Sequence, residues 1–173
     1  MNLGLKRGTV DLVPHQNNWA IVAKDTILKL RELLLVIAID IQHIGSTSIS
    51  SIVAKPIIDL AVGVNAISDV EPYINILDKN KIIYRGSDVY GQLLFIIGDL
   101  DNDIVTHHIH IVEYGSIAWN NYIKFRDYLS SNPDKALEYE LLKRQLATDF
   151  PDNRDAYTKG KQDFIESMLT KII

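Results

Sequence analysis

The sequence predicts an α/β fold of the α+β kind, in which a mixed β-sheet is followed by a C-terminal layer of helices. Three observations carry this. Branched apolar runs at residues 36–44 and 57–64 flank a short polar turn, and further strand-like runs follow at 92–97 and 104–112. From Ser116 onward the apolar residues recur at helical spacing. Across 173 residues there is no internal repeat or low-complexity linker, so a single domain spanning residues 1–173 is expected.

Taken in order, residues 10–14 read as a brief edge segment that Pro14 ends. Asn17 or Asn18 can cap a helix on which Trp19, Val22, Ala23, Thr26, Ile27, Leu30, Leu33 and Leu34 recur at steps of three and four. Residues 36–44 and 57–64 form two buried strands around the turn. A loop at 65–69 leads to a helix at 70–77 with Glu71 and Pro72 in its first turn. Residues 82–84 are a short strand and 85–88 a turn. The runs 92–97 and 104–112, joined by a polar turn at 98–103, should pair antiparallel. Ser116 caps a helix carrying Trp119, Tyr122, Ile123, Arg126 and Leu129, and Pro133 opens one carrying Ala136, Leu137, Tyr139, Leu142 and Leu146. Beyond Pro151 a last helix is expected over residues 153–172.

The chemistry gathers at the turn between the first two strands. Gly45 permits close backbone approach, and Ser46, Thr47, Ser48 and Ser50 follow it, a composition suited to cradling an anion. Asp59 interrupts the next apolar strand, and an unpaired buried carboxylate costs on the order of several kcal/mol, so a cationic or metal partner is expected. Strand alternation puts Asp59 on one face with Ile57 and Ala61. On the later strand it groups Thr106, His108, His110 and Val112, apart from His107, Ile109 and Ile111. Two histidines sharing a face stand about 7 Å apart at their α-carbons, close enough to share one metal ion or one phosphate. A mixed Asp/His site suits zinc or manganese better than magnesium.

Lys55, forced extended by Pro56, can reach toward Asp59 or a bound phosphate. Arg126 and Asp127 read as an ion pair bracing a helix against the sheet, with an arginine clamp for a second substrate as the other reading. Tyr157 and Lys161 share a helix face, with Lys143 a further candidate for the same cavity.

The order strand, Gly-Ser, short helix, strand with Asp resembles the nucleotidyltransferase fold. The string from His43 to Val64, HIGSTSISSIVAKPIIDLAVGV, resembles the GrpB family, usually described as predicted nucleotidyltransferases, more closely still. Thr106 to Val112, Phe125 to Leu129 and Tyr157 to Lys161 extend the likeness over nearly the whole chain. The resemblance implies nucleotidyl transfer from a nucleoside triphosphate to a small acceptor. Gly45, Ser46, Thr47, Lys55 and Lys161 would hold phosphates, and Asp59 and His110 would be catalytic. Asp59, His108 and His110 would ligate a divalent metal, magnesium, manganese or zinc. A second acid is expected at position 61, where this chain has Ala61. That departure supports a rival reading, a non-catalytic module binding a nucleotide or a coenzyme A precursor, since the family also resembles a domain joined to dephospho-coenzyme A kinases. A metal-dependent hydrolase using Asp59, His108 and His110 is a third.

Composition narrows the partners. Without cysteine there is neither a disulfide nor a thiolate nucleophile, and the cytoplasm is the expected location. The first residues lack the apolar core of a signal peptide, and no run reaches the ~20 apolar residues of a membrane span. A net charge of -4 argues against a broad nucleic-acid surface and leaves room for a local basic pocket, with a nucleotide or phosphorylated small molecule as partner. Oligomeric state is left open.

Overall fold

A computed structural model describes residues 3–87 and 89–171. Six strands form one mixed sheet: β1 (Leu5–Lys6), β2 (Ala38–Ile44), β3 (Ile58–Val64), β4 (Ile83–Gly86), β5 (Gln92–Asp99) and β6 (Ile104–Glu113). Their order is β2-β3-β6-β5-β4, and β1 pairs with the first residues of β6, in line with β3. β3 and β6 run parallel at the centre and the remaining pairs are antiparallel. The expected hairpin of β5 and β6 is present.

Helix α1 (Asn18–Leu33) covers one face of the sheet. Its Trp19, Ala23 and Leu30 pack with Ile58, Leu60, Val62 and Val64 of β3 and Ile109 and Ile111 of β6. Each such burial contributes roughly 1.5–3 kcal/mol relative to exposure, and alternation assigns these residues to one side. The other face carries α3 (Ile117–Ser131), α4 (Pro133–Asp149), α5 (Arg154–Gly160) and α6 (Gln162–Leu169). Ser116 caps α3 by accepting from the Trp119 amide, and Pro133 opens α4. On this face β3 presents only small residues next to Asp59. Ala61 is buried against Ile44, Val112 and Trp119, and a Cβ at Gly63 would lie 2.8 Å from the Tyr114 ring. That lets α3 sit close.

Four expectations need correction. Residues 10–14 form no strand: a single bridge joins Val13 to Ala54, and the short N-terminal strand is instead Leu5–Lys6. The helix expected at 70–77 is a 3-10 segment, Ile67–Tyr73, followed by α2 (Ile74–Lys79). Pro72 explains the delay, since it donates no hydrogen bond and its ring crowds the carbonyl four residues back. Arg85 and Gly86 complete β4 rather than forming the turn, and Asp88 lies outside the described residues. The last helix is broken into α5 and α6 at Lys161. Gly160 is the last residue of α5, and a side chain there would overlap Leu146 of α4, so tight helix contact is obtained with a residue that weakens the helix. Ile172 lies outside the described residues.

Candidate functional site

The turn after β2 is built around Gly45, which has φ +69°. A Cβ there would stand 2.5 Å from Asp59 Oδ2, so the missing side chain is what lets the turn close on the carboxylate. The β2–β3 register, with Ile44 opposite Asp59, brings the two together. The hydroxyls divide by role. Ser48 Oγ donates to the Gly45 carbonyl at 2.6 Å and holds the turn shut. Thr47 Oγ1 is hydrogen-bonded to His43 Nε2 at 3.0 Å, and Thr47 is buried. Burial lowers the His43 pKa to about 4, so this buttress is neutral. Ser46 Oγ accepts from Lys143 Nζ at 3.2 Å.

Parallel pairing of β3 and β6 puts His108 directly beside Asp59 and His110 beside Ala61. His108 Nδ1 lies 2.9 Å from Asp59 Oδ1, and its Nε2 accepts from Arg154 Nη2 at 2.9 Å. A guanidinium can only donate, so His108 Nε2 bears a lone pair and Nδ1 carries the proton given to Asp59. His108 is therefore a neutral bridge between an acid and a guanidinium, in line with the lowering of its pKa by burial. Burial opposes ionisation of Asp59, but the hydrogen bond from His108 and the nearby His110 ring outweigh it and hold the carboxyl well below its usual range. His110 Nε2 is 3.9 Å from Asp59 Oδ1, its ring lies 5.2 Å from that of Tyr122, and its Nδ1 is buried without a partner.

Basic side chains converge on the same space from four elements. Lys55 stands 5.1 Å from the centre of the Tyr157 ring and Lys161 stands 4.6 Å from it, with Arg154 one turn back on α5. Lys143 of α4 donates to the Val53 carbonyl as well as to Ser46, and Glu140, one turn earlier, accepts from the Val53 amide at 2.9 Å. The two thereby clamp the segment that links the turn to β3. Burial, reinforced by the neighbouring cations, lowers the pKa of Lys55 and Lys143 to about 7, and that of Lys161 to about 8.

These groups line one cavity of about 1020 Å³. Gly45, Ser46, Thr47, Lys55, Asp59, His108, His110 and Lys161 all border it, as do Tyr157 and Lys143. Arg126 is used elsewhere: it donates to Gln42 Oε1 and the His43 carbonyl, each at 2.9 Å, and to Asp127 at 2.7 Å, bracing α3 against β2. Sequence reasoning missed Arg7, Arg85 and, above all, Arg154, although Arg154 lies three residues before Tyr157 and seven before Lys161, hence on their helix face.

The trio Asp59, His108 and His110 offers ligand atoms within 4.8 Å of one another, near enough for a single ion. Its protons do not suit one. With Arg154 donating to His108 Nε2, the Nδ1 that faces Asp59 is protonated and has no lone pair for a metal. A guanidinium in contact with a ligand would also repel a dication. Position 61, where a second carboxylate was expected, is filled by apolar packing beneath α3. As arranged, the trio is a hydrogen-bonded acid–imidazole cluster.

Comparison with known proteins places this geometry. The family model described as GrpB protein matches residues 9–171. The glutamate-rich protein GrpB of Alkalihalophilus pseudofirmus is 40% identical over 173 residues, covering 98% of this chain and 99% of that protein. The UPF0157 protein YqkA of Bacillus subtilis is 34% identical over 159 residues, covering 91% of this chain and 46% of its own length. The crystal structure of the conserved protein GrpB from Enterococcus faecalis superposes with a TM-score of 0.85 at 30% identity, over 94% of this chain and 96% of that one. A cytoplasmic RNA terminal U-transferase follows at TM-score 0.55 and 12% identity, over 79% of this chain and 41% of that one. The Cid1 poly(U) polymerase gives 0.54 and 13%, over 78% and 44%. These last two share the fold, which is nucleotidyltransferase-like.

Proposed function

We propose, from the premise that the chain belongs to the GrpB family, that it binds a nucleotide or similarly phosphorylated small molecule in the cavity between sheet and C-terminal helices. One observation carries the reading. Six cationic side chains, Arg7, Lys55, Arg85, Lys143, Arg154 and Lys161, line the cavity against two carboxylates, Asp59 and Asp155, in a chain whose net charge is -4. Buried Lys143 and half-buried Lys55 and Lys161, whose charge is resisted by their surroundings, are stabilised by an incoming anion, because it returns the solvation they lost. Phosphates would rest against Lys55, Lys161, Lys143 and the Gly45–Ser46–Thr47 turn.

Nucleotidyl transfer is a second reading, favoured by the position of Asp59 and His110 beside that turn. The acceptor oxygen would attack the α-phosphorus, the bond to the bridging oxygen would break, and pyrophosphate would leave with the electron pair. The acceptor's proton would pass to His110 Nε2, which stands beside Asp59, while the basic side chains neutralise the phosphates. The test is calorimetric titration with nucleoside triphosphates, with and without magnesium or manganese, followed by a pyrophosphate-release assay. Binding without release supports the first reading alone and release supports both, whereas no heat with any nucleotide rejects both.

A further inference from the structure

The cavity has two chemically different ends, divided by the Asp59 cluster. On one side His108 is tied to Arg154 and the basic group, and on the other His110 lies against Tyr122. The second end is walled by Ala118, Asn121 and Tyr122 of α3, by Gln92 and Leu94 of β5, and by Arg85 of β4, which the sheet register sets beside Leu94. We infer that this Gln92–Tyr122 end is the recognition subsite for a nucleobase, an inference that rests on the reading that the basic end takes phosphates.

Gln92 is 8% exposed, so its amide is held in a largely dry setting. Tyr122 donates its hydroxyl proton to Gln92 Oε1 at 2.5 Å, and burial, together with the charge of Asp59, pushes the Tyr122 pKa up to about 12, so the hydroxyl keeps that proton. With its oxygen occupied, Gln92 is oriented, and among the described residues no protein group accepts from its Nε2. That donor opens on the cavity, and an acceptor on a ligand would match it in place of water. The subsite therefore asks for a ring nitrogen or carbonyl oxygen, as nucleobases carry on their edges. The apolar side chains of Leu94 and Ala118 and the ring of Tyr122 suit a flat heterocycle. A cavity of about 1020 Å³ also holds more than a chain of phosphates.

The experiment compares inorganic tripolyphosphate with ATP, GTP, CTP and UTP by calorimetry on the wild-type chain and on Gln92→Leu and Tyr122→Phe. At least one nucleotide should bind about tenfold or more tightly than tripolyphosphate, and Gln92→Leu should erase that margin while leaving tripolyphosphate affinity unchanged. Tyr122→Phe, which keeps the ring and only unlocks the amide, should lose part of the margin while leaving tripolyphosphate affinity unchanged. If tripolyphosphate binds as well as every nucleotide, or if Gln92→Leu weakens both alike, the base subsite is wrong and the phosphate reading stands. Failure of tripolyphosphate and nucleotides alike would remove the phosphate reading, and this inference with it.

Discussion

Arg154 donates to His108 across 2.9 Å and so ties α5 to the central strand of the sheet. That single bond decides the tautomer of His108 and, through it, the character of the Asp59 cluster. Replacing Arg154 by Met should free His108 Nε2, let the proton move there, and expose Nδ1 to a metal. Zinc or manganese affinity, read by calorimetry, should rise about tenfold or more, while tripolyphosphate binding weakens. Unchanged metal affinity would show that Arg154 is not what bars the ion.

The basic group makes stability depend on pH. Lys55 and Lys143 have pKa values of about 7, and Lys161 of about 8, all below their ordinary value. The unfolded chain therefore holds more protons than the folded one between those values and about 10.4, and stability should rise with pH over that window. Below pH 7 the full penalty is present. Urea unfolding at pH 6, 7.5 and 9 should show this slope, and Lys55→Met with Lys161→Met should flatten it.

The same lysines bear on ligand binding. An anion raises their pKa values, so tripolyphosphate binding should take up protons near pH 8 and its affinity should fall as pH rises from 7 to 9. Titration in buffers of different ionisation enthalpy measures this uptake. Identical apparent heats in all buffers would count against charged lysines as the phosphate site.

Gly45→Ala should be costly for two separate reasons, a positive φ and a Cβ driven into the Asp59 carboxylate. A loss of about 1–3 kcal/mol is expected by urea unfolding, accompanied by loss of tripolyphosphate binding. A variant as stable as the wild type would mean that the turn does not press on Asp59.

Ala61→Asp should not restore a metal site. Ala61 is buried among Ile44, Val112 and Trp119, and a carboxylate there would be desolvated close to Asp59, with only the facing His110 to offset it. The expected result is destabilisation on the order of several kcal/mol, with no gain in manganese affinity. A stable variant that binds manganese more tightly would reverse this.

Much of the site could be read from the chain because its geometry is local. Alternation along one strand suffices to put Asp59 on the face with Ala61, and along another to put His108 with His110 and apart from His107. His107 indeed turns to the α1 side and meets Thr26 at 3.2 Å. Gly45 and the hydroxyls after it needed only their order. The four hydroxyls are alike by type, however, and the separation of three of them into Ser48 holding the turn, Thr47 paired with His43 and Ser46 facing Lys143 depends on neighbours brought in by folding.

The sequence by itself determined the mixed sheet, the helical second half and the residues likeliest by type to meet a phosphate, since patterning, capping and turn chemistry act within a few residues. Only the tertiary structure decided that Arg154 would neutralise the metal-like trio from 46 residues away, and that Lys143 would reach Ser46 across 97. It also decided that α5 and α6 would part at Lys161, where Gly160 lets α5 lie close to Leu146 of α4. Hydrogen-bond partners and burial belong to the packed chain, and no spacing along it specifies which distant donor arrives.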